Sequence, residues 1–183
     1  MRKTQYTDKI TGETLMLIEN GQGEQRYSNA YGKLHRIDGP AVINGDRLGW
    51  WVDGKLHCTD GPAVINGDRL EWWVDGKLHR TDGPAVIDGD RLGWYVDGKL
   101  HRIDGPAVIN GDRLEWWYVD GKLHRIDGPA VIAGDRLEWW VDGNRHRTDG
   151  PAYIRGNYQS WWVDGKEYTE AEFNELTAKE VEK

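Results

Sequence analysis

The sequence predicts an all-β protein, an elongated antiparallel β-hairpin repeat array of six units of about 22 residues. Self-alignment of the 183-residue chain gives the first observation, because each repeat reads close to GKLHRIDGPAVINGDRLEWWVD. The second is that every repeat carries several turn signals separated by short runs of β-branched and aromatic residues. The repeats span residues 32–53, 54–75, 76–97, 98–120, 121–142 and 143–164.

Within repeat one, the turn signals are Asp-Gly-Pro at 38–40, Asn-Gly-Asp at 44–46 and Asp-Gly at 53–54. Asn, Asp and Gly accept positive φ at low cost and therefore favour tight hairpin turns. Between the turns lie AVI and RLGWWV in this repeat, which we interpret as two main strands, with KLHR as a short extension. Windows this short exclude helices from the repeats.

The two ends of the array require caps, since a repeat buries its apolar surface only against neighbouring repeats. Residues 1–31 are predicted to form an N-terminal β cap, a degenerate repeat that precedes the six tandem β-hairpin repeats at 32–164. Residues 165–183 are predicted to form a C-terminal cap with an amphipathic helix.

The C-terminal cap contains the one helix that the sequence predicts. Thr169 and Glu172 are spaced as a capping box, in which each side chain satisfies a free amide donor at the helix start. Phe173, Leu176 and Val181 form an apolar stripe. We expect this helix to cover the last repeat, and docking on a partner is the alternative.

Composition and charge exclude several classes of function. The net charge is −7 and Lys and Arg form no cluster, which argues against nucleic-acid partners and against binding to acidic membranes. No apolar run approaches the ~18 residues that would span a bilayer. The N-terminal residues lack an apolar signal-peptide stretch, and the lone Cys58 forms no intramolecular disulfide, so a cytoplasmic location is expected.

The Trp pairs are the most informative side chains. If RLGWWV is one strand, alternation places Leu48, Trp50 and Val52 on a packed face and Trp51 on the other face. In repeat four, Tyr118 is interpreted as an insertion that forms a β-bulge before Val119. The aromatic ladder predicted on the second face consists of Trp51, Trp73, Tyr95, Trp117, Trp140 and Trp162.

Three interpretations of this aromatic ladder remain open. The sheet can curl and bury the ladder as a second core layer, or the ladder can be a partner-binding face or a self-association face. Exposed at a spacing of about 10 Å, such residues would exceed the apolar patch usual for a soluble monomer. Trp and Tyr also dominate interaction hot spots, which makes the ladder the candidate binding site.

Each repeat carries one His followed three residues later by Asp, as in His35 and Asp38. Stacked repeats hold the His residues about 10 Å apart, whereas a zinc site needs three or four converging ligands. We therefore interpret the His residues as a structural series bonded to a turn carbonyl or to that Asp, and expect no metal and no cofactor. Arg47 and its equivalents are expected to pair with neighbouring carboxylates. Identical repeats also lack the asymmetric constellation of an active site, which predicts that the protein is not an enzyme.

The WWVDGKLHR and DGPAVI segments, spaced about 22 residues apart, resemble MORN-type repeats, in particular the MORN variant of antitoxin-like proteins. The array followed by WWVDGKEYTEAEF is also similar to uncharacterised phage and giant-virus repeat proteins. The resemblance covers about residues 32–168 and implies a row of β-hairpins that engages protein partners and in some members self-associates.

From these features we expect a non-enzymatic repeat scaffold that binds a protein partner along its aromatic face. By analogy with the viral proteins, the partner would be a host defence or toxin protein. One alternative is a repeat module for carbohydrate, cell wall or a small cationic ligand, since aromatic faces stack on sugars and hold cations. The other is a self-assembling structural protein of a virion, in which the partner is a second copy of the chain.

Overall fold

A computed structural model describes residues 1–181 of the chain, and describes no side chains at 179–181. The described chain divides into two compact units. The first consists of Met1–Gly89 with Tyr95–Gly98, and the second of Asp90–Trp94 with the chain from Lys99 onward.

The regular secondary structure of the described residues consists of short β-strands and one helix at the C-terminal end. The first strands are β1 (Arg2–Thr7), β2 (Thr14–Glu19), β3 (Gln25–Ser28), β4 (Val42–Asn44), β5 (Arg47–Gly49), β6 (Trp51–Val52), β7 (Lys55–Leu56), β8 (Val64–Asn66), β9 (Arg69–Glu71), β10 (Trp73–Val74), β11 (Lys77–Leu78), β12 (Val86–Asp88), β13 (Arg91–Gly93) and β14 (Tyr95–Val96). The remaining elements are β15 (Lys99–Leu100), β16 (Val108–Asn110), β17 (Leu114–Trp116), β18 (Tyr118–Val119), β19 (Lys122–Leu123), β20 (Val131–Ala133), β21 (Arg136–Glu138), β22 (Trp140–Val141), β23 (Asn144–Arg145), β24 (Tyr153–Arg155), β25 (Tyr158–Val163), β26 (Lys166–Tyr168) and α1 (Glu170–Val181). The predicted all-β class with a short terminal helix is confirmed.

Main-sheet strands pair antiparallel within each unit. In the first unit their order is β1-β2-β3-β4-β5-β8-β9-β12, and in the second it is β13-β16-β17-β20-β21-β24-β25-β26. Within each unit the repeats contribute hairpins such as β4–β5, and the second strand of such a hairpin pairs with the first strand of the next repeat, as β5 does with β8. The Ala of each DGPA segment is fully buried: Ala41, Ala63, Ala85, Ala107, Ala130 and Ala152.

Two kinds of tight turn shape each repeat, as the Gly and Asp signals predict. Gly45 has φ 56° and opens the two-residue loop between Asn44 and Arg47, which is the Gly-first arrangement of a type II′ turn. Asp53 and Gly54 have φ 49° and 81°, the pair of positive values that a type I′ turn requires. The second turn closes the short β6–β7 hairpin, a separate two-stranded sheet.

The RLGWWV segment of repeat one is not a continuous strand, so this part of the prediction is wrong. The main-sheet strand β5 ends at Gly49, and β6 begins at Trp51 in the small hairpin. Trp50 lies between them, donating its N–H to the Ala63 carbonyl and accepting from the His57 N–H. At Trp50 the chain thus passes from the main sheet to the small hairpin. The alternation of side chains along one strand therefore cannot be used to assign Leu48, Trp50 and Val52 to one face and Trp51 to the other.

The extra residue of repeat four lies in the hairpin turn, not in a bulge at Tyr118. In repeat one Val42 faces Gly49, whereas in repeat four Val108 faces Trp116, which lengthens the connection by one residue. The residues after this turn shift accordingly.

The predicted capping box begins α1. The Thr169 N–H donates to Glu172 Oε2 at 2.8 Å, and the Glu172 N–H donates to Thr169 Oγ1 at 3.3 Å. Phe173 is buried and the helix packs on β25 and β26, as expected for a cap on the last repeat. The predicted contribution of Val181 lies outside the described side chains. Within residues 1–181, no helix is long and apolar enough to cross a membrane.

Candidate functional site

The aromatic residues predicted to form a binding ladder are half-buried. Five of the six, Trp51, Trp73, Tyr95, Trp140 and Trp162, occupy equivalent positions one residue after the first Trp of each pair. Trp51 packs against the buried cluster of Leu15, Tyr27 and Ala41. These side chains contribute to packing while keeping part of their surface open.

Trp117 is the sixth predicted ladder residue, and the turn insertion moves it to a different position. Its N–H donates to the Ala130 carbonyl, just as Trp50 donates to Ala63, so Trp117 is equivalent to the first Trp of the other pairs. Tyr118 takes the ladder position, because its carbonyl accepts the Arg102 N–H as the Trp51 carbonyl accepts the Arg36 N–H. The ladder position of repeat four is therefore occupied by Tyr118, and not by Trp117 as predicted.

In repeats two to five the Trp at the first position has a different role, as a platform for an arginine from the following repeat. Arg80 lies over the Trp72 ring with its guanidinium carbon 4.0 Å from the ring centroid. Its Nε donates to Asp82 at 2.8 Å, and its Nη1 donates to the Pro84 carbonyl at 3.2 Å. The same stacking is made by Arg102 on Trp94, Arg125 on Trp117 and Arg147 on Trp139.

The Gly of each DGP segment makes room for this arginine. A Cβ placed at Gly83 would lie 3.0 Å from the guanidinium carbon of Arg80. Each guanidinium therefore lies between an aromatic ring on one side and a bare glycine backbone on the other. We call this arrangement the arginine stack; it links consecutive repeats and explains the Arg-x-Asp-Gly-Pro sequence.

The His residues form a structural series, with a different Asp from the one suggested by sequence spacing. His57 Nδ1 accepts the backbone N–H of Asp75 at 3.2 Å and lies 3.2 Å from its carboxylate oxygen. The Asp three residues after each His instead serves the arginine stack where the repeat contains one. Since Asp75 has φ 49°, the His ring supports the strained corner of the next type I′ turn.

The indole N–H of the ladder residues usually donates to the side chain two positions earlier. Trp73 donates to Glu71 at 2.8 Å, Trp140 to Glu138 at 2.9 Å, and Trp162 to Ser160 at 2.8 Å. In repeat one that position is Gly49, which has no side chain to accept the indole N–H. The indole nitrogen of Trp51 lies only 2.9 Å from the position that a Cβ added at Gly49 would take. Trp51 therefore has no acceptor among the described residues.

A groove in the first unit is lined in part by Trp51. Its cavity volume is about 560 Å³, and Val42, Leu48 and Leu56 contribute apolar lining beside Trp51. We call it the Trp51 groove; the lining also includes Glu24, Arg26, Leu34, Asn44, Arg47, Gly49, Val64, Asn66, Arg69 and Glu71. It combines apolar walls with a charged and polar rim.

The charges on the rim are unequally paired. Arg69 Nη2 lies 2.6 Å from Glu71 and its Nη1 lies 3.1 Å from Asp88, as expected for an Arg beside a carboxylate. Arg26 pairs with Glu24 at 2.7 Å. The prediction that Arg47 pairs with a carboxylate is wrong: Arg47 has no ion pair within the described chain, because Gly49 stands where repeat two has Glu71. The Trp51 groove thus presents two unpaired donors, an indole N–H and a guanidinium.

A second polar cluster joins the N-terminal cap to repeat one. The buried Asp8 carboxylate accepts backbone N–H groups of Ile10, Thr11, Ile37 and Asp38. Burial acts to raise the pKa of Asp8, but these four donors outweigh it and hold the pKa well below its usual range. The fully saturated geometry indicates a structural junction.

The described side chains include no group of three or more His, Cys, Asp or Glu placed to hold a metal ion. Neither the arginine stacks nor the open Trp51 groove was predicted from the sequence. The stacks had a signal, the joint recurrence of Arg, Gly and the first Trp; the groove follows from a single Gly in place of Glu. No protein-family description matches the chain, and a search of curated proteins finds no related sequence.

Proposed function

We propose that the protein is a non-enzymatic repeat scaffold that binds a protein partner, with the Trp51 groove as the centre of the contact. The observation that carries this proposal is the pair of unpaired donors, the Trp51 indole N–H and the Arg47 guanidinium, beside an apolar wall. Polar groups in a groove form hydrogen bonds with water or with a ligand. A ligand that displaces this water gains affinity when it forms equivalent hydrogen bonds itself.

The composition of the groove fits a protein ligand. Protein interfaces combine an apolar centre with a polar rim, and Trp and Arg are enriched among the residues that dominate affinity. The volume of about 560 Å³ lies within the usual range for binding sites, enough for a short segment of a partner. The unpaired donors favour a segment that carries a carboxylate close to an apolar side chain.

The repeat architecture favours binding over catalysis. Identical groups recur in successive repeats, whereas an active site brings groups with different roles to one place. The MORN resemblance extends the proposal to a cytoplasmic protein of the antitoxin-like or viral type, whose partner would be a host defence or toxin protein.

The substitution Gly49→Glu tests the proposal with a design that the chain already uses. Glu occupies the equivalent position in repeats two and five, where it accepts the indole N–H of Trp73 or Trp140. In repeat one the new Cβ would require the Trp51 indole to move, because its nitrogen lies 2.9 Å from that position. The Glu carboxylate would then accept the indole N–H as in repeat two, pair with Arg47 and close the groove. A matched control, Ile126→Thr, changes an exposed side chain outside the groove to the residue of repeats two, three and six.

Phage-displayed random peptides selected on the wild-type protein provide the probe. We expect selected peptides to be rich in Asp or Glu beside an apolar residue and to bind Gly49→Glu at least about tenfold more weakly, because charge-assisted hydrogen bonds are lost. Ile126→Thr should bind them like the wild type. Peptides that bind Gly49→Glu undiminished would refute the groove, and retention on an insoluble glucan without peptide selection would favour the carbohydrate alternative.

A further inference from the structure

Repeat two departs from the arginine stack at a single position. Cys58 stands where the other repeats carry Arg36, Arg80, Arg102, Arg125 and Arg147. The ring that the missing arginine would cover is Trp50, by analogy with Arg80 on Trp72. Among the described residues, no Lys or Arg lies over the Trp50 ring.

The other components of the stack remain in place in repeat two. Asp60 accepts only the Thr59 hydroxyl, at 3.1 Å, whereas the equivalent Asp82 binds the Arg80 guanidinium. A Cβ placed at Gly61 would meet no atom within 4 Å, although at Gly83 it would meet Arg80 at 3.0 Å. The Pro62 carbonyl receives no donor from the described side chains, in contrast to the Pro84 carbonyl. Repeat two therefore retains a receptor for a guanidinium without its own guanidinium.

We infer that this slot, formed by Trp50, Asp60, Gly61 and Pro62, binds the guanidinium group of an arginine side chain presented by a protein partner. That the arginine comes from a protein partner rests on the proposed function. The slot itself is inferred from the equivalent groups that hold a guanidinium in the other repeats. A single arginine can enter because Cys58 is shorter than arginine and leaves the region beside Gly61 open.

The chemistry of the slot favours arginine over lysine. The space between an indole ring and a glycine backbone is flat, which suits a planar guanidinium and not a tetrahedral ammonium. Asp60 and the Pro62 carbonyl accept in the fork geometry that Arg80 satisfies with Nε and Nη1. A cation over Trp also gains the strongest of the cation–π attractions.

The test uses N-acetyl-arginine amide as the probe, with N-acetyl-lysine amide at equal ionic strength as its comparison. The readout is the NMR shift of the Trp50 indole N–H, assigned with Trp50→Phe. We expect a saturable shift with arginine amide, with a dissociation constant on the order of 10 mM, and at least about tenfold weaker binding of the lysine compound.

Three variants make the result specific. Cys58→Arg supplies the internal guanidinium and should abolish the response, whereas Cys58→Ala should preserve it because the thiol is not a binding group. Arg80→Cys should create a second responding site at Trp72. Equal responses of wild type and Cys58→Arg, or equal binding of both amides, would overturn the slot. Gly49 is unchanged in these variants, so loss of the slot and loss of the Trp51 groove are separable.

Discussion

The guanidinium carbon of Arg102 lies 4.1 Å from the centroid of the Trp94 ring, and this contact within the second unit joins a residue of repeat four to one of repeat three. A Cβ placed at Gly105 would lie 2.7 Å from that same carbon, so the glycine is required by the arginine and not by its own backbone φ. The stack connects the two residues across the repeat boundary with both an aromatic contact and hydrogen bonds. It thereby stabilises the stacking of repeats that are too small to fold alone.

Gly105→Ala should therefore destabilise the protein by about 0.5–2 kcal/mol, because the new methyl group displaces the Arg102 guanidinium from the Trp94 ring. The loss in the free energy of unfolding cannot exceed what the stack contributes, because the flexible Arg102 side chain can move away from the new methyl group and the backbone does not have to shift. Urea unfolding monitored by Trp fluorescence measures the change. Gly61→Ala is the matched control, where nothing lies within 4 Å and we expect little change; equal losses in both variants would contradict the mechanism.

The sequence was sufficient to predict the hairpins and their turns, because Gly45, Asp53 and Gly54 have the conformations that their residue types favour. It was insufficient to predict the break at Trp50. A continuous run of β-branched and aromatic residues contains no turn residue there, and the transfer between sheets is fixed by hydrogen bonds to Ala63 and His57 in the following repeat. Such non-local pairing overrides local β propensity.

Deletion of Tyr118 should stabilise the protein, although it removes a half-buried aromatic residue. The insertion places Trp116 where repeats two and five have Glu, and its indole nitrogen is buried without a hydrogen-bond partner in the described chain. Deletion restores the sequence RLEWWVD and allows Glu115 to occupy the acceptor position. Removing a buried unpaired donor is worth about 1–3 kcal/mol.

Chemical denaturation gives the sign of this change, and the indole N–H spectrum gives its cause. We expect one indole proton to move to the hydrogen-bonded range occupied by Trp73 and Trp140. Destabilisation on deletion of Tyr118 would show that the turn insertion is compensated by contacts of its own ring.

Asp75→Ala should cost about 1–2 kcal/mol, because Asp75 has φ 49° and alanine is strained in the left-handed region. Asp75→Asn is the matched control, since asparagine tolerates this conformation. Urea unfolding compares the two variants. A loss of equal size in both would assign the effect to the Asp75 carboxylate near His57 instead of to the backbone.

The candidate site was less predictable than the fold, because it depends on departures from the repeat. Sequence periodicity identifies Trp51 and Trp73 as equivalent, yet Gly49 leaves one indole N–H unpaired and Glu71 satisfies the other. The difference arises at one position, where Glu71 of repeat two is Gly49 in repeat one and Gly93 in repeat three, and repeat one alone combines this Gly with a Trp at the ladder position. To predict which side chains pair in this way, one must know the register of the strands.

Asp8→Asn should destabilise the junction between the N-terminal cap and repeat one by about 1–3 kcal/mol at pH 7. In the wild type the Asp8 carboxylate accepts backbone N–H groups, including those of Ile37 and Asp38. The asparagine amide would direct its own N–H groups at some of these donors, which cannot accept a hydrogen bond. Because the pKa of folded Asp8 lies below the value near 3.9 of the unfolded chain, its ionisation stabilises the fold above about pH 4. This contribution is lost as the pH falls further.

The free energy of unfolding of Asp8→Asn should therefore approach that of the wild type as the pH is lowered from 5 to 3, in urea titrations at each pH. Asp68→Asn provides the control, because Asp68 is exposed and makes no hydrogen bond through its side chain within the described chain. Its difference from the wild type should stay near zero throughout. A constant deficit for Asp8→Asn at every pH would mean that shape, and not charge, makes Asp8 necessary at this junction.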